Sequence, residues 1–178
     1  QDMRPSPDCS LCSLCRERTR IVLPDGDPSS GVVFVGEAPG ETEDLTGRPF
    51  VGRSGKLMER MMSEEGVSRS DVLITNTVKC RPPGNRDPTP EEMVACRPFL
   101  DSEICGSRVV VGLGRSACRD LAGYEGRMKD IVNTRMTIKA GGRDIAFIPT
   151  FHPAACIYSR ESREAFRMTI RMIKREFL

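Results

Sequence analysis

Val32-Val33-Phe34-Val35 is a continuous apolar run, too short for a helix and lacking the polar alternation of a half-exposed strand. A strand that is apolar on both faces must be covered on both, as happens in a parallel sheet between helices. The run stops at Gly36, and a helical pattern resumes at Lys56-Leu57-Met58-Glu59-Arg60-Met61-Met62. Between them lies GEAPGETEDLTGRPFVGRSG, Gly36 to Gly55, a long loop at a strand's carboxyl end. Ligands bind at that end of open α/β sheets, and a loop of this length without regular structure of its own is either functional or disordered. The apolar pair Phe50-Val51 argues against disorder.

The same alternation recurs along the chain. Val72 to Asn76 is predicted as a second strand, after a helix running to about Glu65 and a stop signal at Gly66. Arg108 to Val111 is a third, followed by Gly112-Leu113-Gly114 and a short helix from Arg115 to Leu121. Met136 to Lys139, the Gly141-Gly142 turn and Asp144 to Pro149 form a predicted hairpin whose second arm is the fourth core strand. Arg163 to Phe177 is an amphipathic helix with Phe166, Ile170, Ile173 and Phe177 on one face. Strands alternating with helices predict a mainly parallel sheet covered on both faces. At 178 residues, 38% of them hydrophobic, the chain suits one core and one domain over 1–178. The loop from Gly36, Asn76, and His152, the only histidine, all fall just past strand ends and can converge on one crevice.

No apolar run approaches the roughly 20 residues of a membrane span, and Gln1 to Ser10 lacks a signal-peptide core, so a cytoplasmic protein with no membrane partner is the expectation. The 27 basic residues include 22 Arg, the better bidentate partner for phosphate. The net charge of +2 is nevertheless too small to argue for nucleic acid. Eight cysteines in a reducing compartment are not expected to form a disulfide framework. Cys9, Cys12 and Cys15 form C-x2-C-x2-C, which lacks the fourth Cys of a ferredoxin-type run and offers two overlapping pairs. Cys80 and Cys96 bracket a Pro-rich loop and a helix start with Thr89 as N-cap and Pro90 at the first position. Four thiolates from these two distant segments suit either an iron–sulfur cluster or a tetrahedral zinc. Cys105, Cys118 and Cys156 stand singly, as small core residues do.

Two glycine motifs are decoys. Gly47 to Ser54 nearly matches a phosphate-binding loop, but Arg53 replaces the lysine, Pro49 removes a backbone N–H, and no strand directly precedes it. Gly112-Leu113-Gly114-Arg115-Ser116-Ala117 fits a dinucleotide fingerprint but lacks a following strand ending in an acidic residue. A close strand-to-helix turn explains its glycines.

Taken in order, GEAPG, GRPFVG, Asn76-Thr77-Val78-Lys79-Cys80-Arg81-Pro82-Pro83 and Phe151-His152-Pro153 resemble the family 4 uracil-DNA glycosylases. The resemblance implies a three-layer αβα sandwich around a four-stranded parallel sheet. It also implies a structural [4Fe-4S] cluster, with zinc the lesser alternative, on Cys12, Cys15, Cys80 and Cys96, leaving Cys9 as a spare or a competitor for Cys12. The implied activity is base-excision repair: uracil is flipped out of single- or double-stranded DNA and its N-glycosidic bond hydrolysed, leaving an abasic site. A nucleoid-associated monomer is the matching expectation.

A flipped base is read by its Watson–Crick edge and by stacking. The resemblance places Gly36 and Ala38 in the substrate pocket and makes Phe50 the stacking ring. Uracil presents an acceptor at O4 and a donor at N3, which the single amide of Asn76 can answer, whereas cytosine presents the opposite pattern. Glu43 is implied as the wall that excludes thymine's methyl group. His152, which can donate as a neutral imidazole, is aimed at uracil O2, where negative charge develops. Glu37 is ranked first for stabilising the cationic sugar or orienting water, ahead of Asp44 and Glu41. After His152 the chain departs from relatives that read HPAYLLR or HPSYLLR: Ala155-Cys156-Ile157-Tyr158 leaves Ile157, and secondly Tyr158, to inherit the DNA wedge by position alone. No lysine near the motifs is obviously placed for Schiff-base chemistry, so a monofunctional glycosylase is expected. The alternatives are a non-catalytic or trapping uracil-DNA binding protein, disfavoured because covalently trapping relatives carry an extra loop histidine, and an iron–sulfur electron carrier.

Overall fold

The computed structural model describes residues 3–178. In chain order its strands and helices are β1 (Asp25–Gly26), β2 (Val32–Gly36), α1 (Glu41–Thr46), α2 (Arg53–Glu64), β3 (Leu73–Asn76), α3 (Pro90–Ile104), β4 (Val109–Leu113), α4 (Arg115–Ala122), β5 (Met136–Ala140), β6 (Arg143–Thr150) and α5 (Arg160–Phe177). The strands form one six-stranded sheet in the order β1-β3-β2-β4-β6-β5. The inner four run parallel, while β1 and β5 pair antiparallel at the two edges. The predicted four-stranded parallel sheet is therefore the centre of a wider, mixed one. Sequence patterning could not reveal β1, because its two residues, Asp25 and Gly26, carry no apolar signal and join the sheet by pairing with β3. β5 joins β6 through Gly141 and Gly142, both at positive φ, as a tight two-residue hairpin requires.

The period of two along each strand divides the core. Val32, Phe34, Val109 and Val111 cluster with Met58 and Met61 of α2 and with Phe166 and Ile170 of α5. Val33, Val35, Val110 and Phe147 cluster with Leu100 of α3 and Leu121 of α4 on the other face. A third, smaller cluster packs Leu14 and Val78 against Met93 and Phe99, and Cys80 and Cys96 lie in it.

The loop from Gly36 to Gly55 is more ordered than expected: it contains α1, and α2 already begins at Arg53. One carboxylate accounts for both. Glu43 Oε1 accepts the Gly40 N–H at 3.1 Å, and its Oε2 accepts the N–H groups of Val51 at 2.9 Å and Gly52 at 2.6 Å. A negative charge thus satisfies orphan donors at the starts of two helices. α5 likewise starts a turn earlier than its apolar face, because the Ser159 hydroxyl accepts the Ser162 N–H at 3.1 Å. α3 starts where predicted, with Thr89 Oγ1 accepting the Glu92 N–H at 3.2 Å.

β2 has β3 on one side and β4 on the other. The chain's winding reverses there, and a crevice opens at the carboxyl ends of β2 and β4, the usual place for a ligand in such sheets.

Candidate active site

A cavity of about 420 Å³ occupies that crevice. Glu37, Ala38, Glu43, Phe50, Asn76 and His152 all line it, so the three strand ends converge as predicted. Gly36 lies beneath. It pairs with Asn76 across the sheet, and a Cβ on it would fall 2.3 Å from Phe50 Cζ and 2.6 Å from Asn76 Oδ1. Only glycine lets the ring and the amide approach this closely.

Phe50 is 6% exposed and holds φ at 51°, an unfavourable value for a residue with a bulky side chain. Its surroundings enforce it. Arg69, itself buried, donates Nη1 to the Phe50 carbonyl at 2.6 Å and Nη2 to the Pro49 carbonyl at 2.7 Å, and pairs with Asp25 at 3.1 Å. Gly55 allows α2 to press on the same peptide, since a Cβ there would meet the Phe50 carbonyl oxygen at 2.1 Å. Gly55, the residue just past the phosphate-loop decoy, therefore helps to set one aromatic ring.

Asn76 is 3% exposed, and its Oδ1 is buried without a hydrogen-bond partner among the described residues. A buried amide oxygen left unpaired costs about 1–3 kcal/mol, so it is a site awaiting a donor. Its backbone is fixed from below: Lys79 Nζ donates to the Asn76 carbonyl and to Thr75 Oγ1, both at 2.7 Å, and pairs with Glu103 at 2.6 Å.

His152 caps the 3₁₀ turn Pro153–Cys156, its Nδ1 accepting the Ala154 N–H at 3.0 Å. With Nδ1 committed as an acceptor, the proton of the neutral ring sits on Nε2. Burial pushes the imidazole down to about 4, against an opposing pull from Glu43, so the ring is neutral at physiological pH and its Nε2–H is a donor. The ring lies 5.7 Å from that of Phe50, tilted by 35°. Gly114 permits this placement, because a Cβ there would come within 2.9 Å of His152 Cβ. That is the close approach that the dinucleotide-like glycines provide.

Glu37 follows β2 directly, and its carbonyl accepts Thr77 Oγ1–H at 2.6 Å. Its Oε2 accepts the Ser116 hydroxyl at 2.7 Å across the switch point. Burial raises its carboxyl above the ordinary range, Ser116 partly offsets this, and the neighbouring Asp87 carboxyl raises it further. The two alternatives are removed from the crevice lining. Asp44 is buried, accepting the backbone N–H groups of Thr19 at 2.8 Å and Arg20 at 3.3 Å, and Glu41 is exposed outside it.

The family model of the uracil DNA glycosylase superfamily matches residues 23–174. The chain belongs to this superfamily. It is similar to a type-4 uracil-DNA glycosylase of Thermotoga maritima, 43% identical over 171 residues that cover 94% of this chain and 86% of the relative. It is also similar to the type-4 enzymes of Sulfurisphaera tokodaii, at 40% identity over 93% of this chain and 79% of the relative, and of Archaeoglobus fulgidus, at 39% over 96% and 89%.

In this superfamily member the cysteines group differently from the expected set. Cys9, Cys12, Cys80 and Cys96 line one small enclosed cavity, and Cys15 does not. Residues Ser13–Arg16 form a 3₁₀ turn whose inward position is taken by Leu14, 1% exposed, which leaves Cys15 off the lining. Spacing could not decide this, because both overlapping pairs obey C-x2-C. Arg18 donates to the Cys9 carbonyl at 2.6 Å and to Cys80 Sγ at 3.6 Å, tying the two segments together. Burial raises the Cys96 thiol, and the backbone N–H and charge of Lys79 partly offset that rise. Burial pushes the Cys80 thiol up to about 11. A ligand thiol must lose its proton, and the cations Arg18 and Lys79 at the lining offset the resulting negative charge. Among the described residues, no group of three or more His, Cys, Asp or Glu is arranged to hold a single metal ion. Cys118 and Cys156 are buried core residues, while Cys105 is exposed.

Sequence reasoning also missed Ser116, Asp87, Arg69 and Lys79. Ser116 alone had a usable signal, since it stands three residues past an apolar strand run. The wedge candidates separate in the structure. Ile157 is half-buried, whereas Tyr158 is 84% exposed and held by Arg53, whose Nη1 donates to its hydroxyl at 3.0 Å with the guanidinium 5.3 Å from its ring.

Proposed function

We propose that this chain is a monofunctional uracil-DNA glycosylase that flips uracil into the crevice and hydrolyses its N-glycosidic bond. The observation that carries the proposal is that Asn76, whose buried Oδ1 has no hydrogen-bond partner among the described residues, lines the same cavity as Phe50 and His152. Uracil N3–H supplies the missing donor and its O4 accepts from the same amide. Cytosine would set an acceptor against Oδ1, which a buried hydrogen-bonding site rejects strongly. The names of the relatives agree with this choice of base.

As the C1′–N1 bond lengthens, the sugar becomes cationic and negative charge spreads over the uracil ring to O2. The Nε2–H of His152 donates to O2, and one such preorganised donor contributes roughly 3–4 kcal/mol. Neutral imidazole suits this task because it stabilises the uracil anion without transferring its proton. Glu37 stabilises the cationic sugar and orients water toward C1′, accepting the proton that the water gives up. Ser116 holds that carboxylate, and Asp87 tunes it. Glu43 acts through the loop it clamps: with its carboxylate committed to three N–H groups, it fixes the wall beside the ring edge that excludes a methyl group. Tyr158 and Ile157 together form the wedge.

A [4Fe-4S] cluster is the proposed occupant of the thiol-lined cavity, held by Cys9, Cys12, Cys80 and Cys96, where it supplies a structural cross-link between the amino-terminal segment and α3. The donor set favours it: four sulfurs and no carboxylate line the cavity. The chain is proposed to act as a monomer in the cytoplasm. No helix among the described residues is long and apolar enough to cross a membrane.

The test is uracil release from a labelled oligonucleotide. Wild type should release uracil, and His152→Ala should fall by about 10²–10³-fold in kcat. Binding without release by wild type would replace the enzyme by a trap.

A further inference from the structure

A groove of about 620 Å³ lies between α2 and α5, next to the uracil crevice. Ser54 and Ala154 line the crevice, whereas Arg53 and Ile157 line the groove. The first turn of α2 and the turn at 153–157 are thus the ridge between them. Tyr158 stands exposed on this ridge.

The groove is strongly basic. Arg53, Lys56 and Arg60 recur on one face of α2, and Arg163 and Arg167 face them from α5, against the single carboxylate of Glu64. Five cations against one carboxylate exceed the +2 carried by the whole chain. Three of the five are held in place. Arg53 bonds Tyr158, Arg163 donates to the Cys156 carbonyl at 2.9 Å, and Arg167 pairs with Glu64 at 3.2 Å. Lys56 and Arg60 are exposed, and their side chains have no hydrogen bond or ion pair among the described residues. Uncommitted cations lining a groove match a row of phosphates, whose neutralisation releases counterions and drives binding.

We propose that this groove binds phosphates of the DNA strand opposite the uracil, which makes the protein a duplex reader as well as a base reader. The proposal rests on the glycosylase reading of the crevice. A flipped nucleotide keeps its own strand at the crevice mouth, and a side chain on the ridge fills the gap left in the stack. A strand lying beyond that ridge is the complementary one. No base edge is needed there, because phosphate contacts position the duplex without reading sequence.

The double variant Lys56→Gln/Arg60→Gln tests this at two exposed positions outside the crevice. Uracil release is measured on a duplex and on the same uracil strand alone, over a range of salt. Duplex kcat/KM should fall by about tenfold, and its log–log salt slope should flatten by about 0.9 for each phosphate no longer neutralised. Release from the single strand should stay within about twofold of wild type. Equal losses on both substrates would assign the groove to the uracil strand, and unchanged duplex release would mean that no DNA lies there; either overturns the proposal. Affinity for a uracil-free duplex, measured alongside, must show the same flattened slope. That readout needs no excision, so a wild type that releases no uracil would defeat the glycosylase reading while the groove is still judged by its salt slope.

Discussion

Gly36→Ala adds one methyl group where the base-recognition parts meet. The new Cβ would lie 2.3 Å from Phe50 Cζ and 2.6 Å from Asn76 Oδ1, whereas non-bonded carbon atoms rest at about 3.5–4.0 Å. Either the ring or the amide must move by about 1 Å, and neither is free to do so. The Phe50 peptide is pinned by Arg69 at 2.6 Å and pressed by Gly55, and the Asn76 carbonyl is held by Lys79 at 2.7 Å. A misplacement of about 1 Å in a catalytic site costs on the order of 10²-fold in rate, which is about 2.7 kcal/mol of transition-state stabilisation. Overpacking costs the fold about 1–3 kcal/mol. The assay is kcat/KM for uracil release from a single-stranded oligonucleotide, with thermal unfolding of the same preparation. The expected variant is folded, melts lower and is about 100-fold slower. A folded Gly36→Ala protein within about threefold of wild type would refute the claim that these positions of Phe50 and Asn76 hold the base.

Because His152 is neutral when folded, with its imidazole pushed down to about 4 from an ordinary 6.5, kcat/KM should show no histidine titration near neutrality. Stability should be full above 6.5 and fall as pH drops toward 4, where the unfolded chain takes up a proton that the fold refuses; urea midpoints against pH measure this, and His152→Phe should abolish that slope. Asp87→Asn removes a neighbour that raises the Glu37 carboxyl, so the acidic limb of the kcat/KM profile should move to lower pH; an unmoved limb would take Glu37 out of the rate-determining ionisation. In anaerobically purified protein, Cys9→Ser should lose the visible iron–sulfur absorption while Cys15→Ser keeps it, and the opposite result would restore the ligand set expected from sequence.

The parallel core was legible because β2 and β4 are apolar on both faces and β3 opens on the apolar Leu73-Ile74, a pattern few other environments tolerate. The convergence of Glu37, Asn76 and His152 was legible for a related reason: residues just past the carboxyl ends of parallel strands share one end of the sheet by topology. Edge strands were not equally visible. β1 is held by backbone pairing and by the ion pairs of Asp25 with Arg48 and Arg69, none of which an apolar pattern records.

Local sequence therefore carried whatever depends on burial periodicity and on the direction of the chain: the layered α/β core, the crevice, and the residues at its rim. Three-dimensional packing alone chose among chemically equal candidates. Cys9 lines the thiol cavity in place of Cys15 because Leu14 takes the inward position in a shared turn. Glu37, and not Asp44, meets the crevice because Asp44 is spent on the backbone of Thr19 and Arg20. The imidazole of His152 is neutral with its proton on Nε2 because Ala154 donates to Nδ1 within a buried site. Each of these depends on partners that folding brings together, and hydrogen bonds and burial act through space, with no trace in residue spacing.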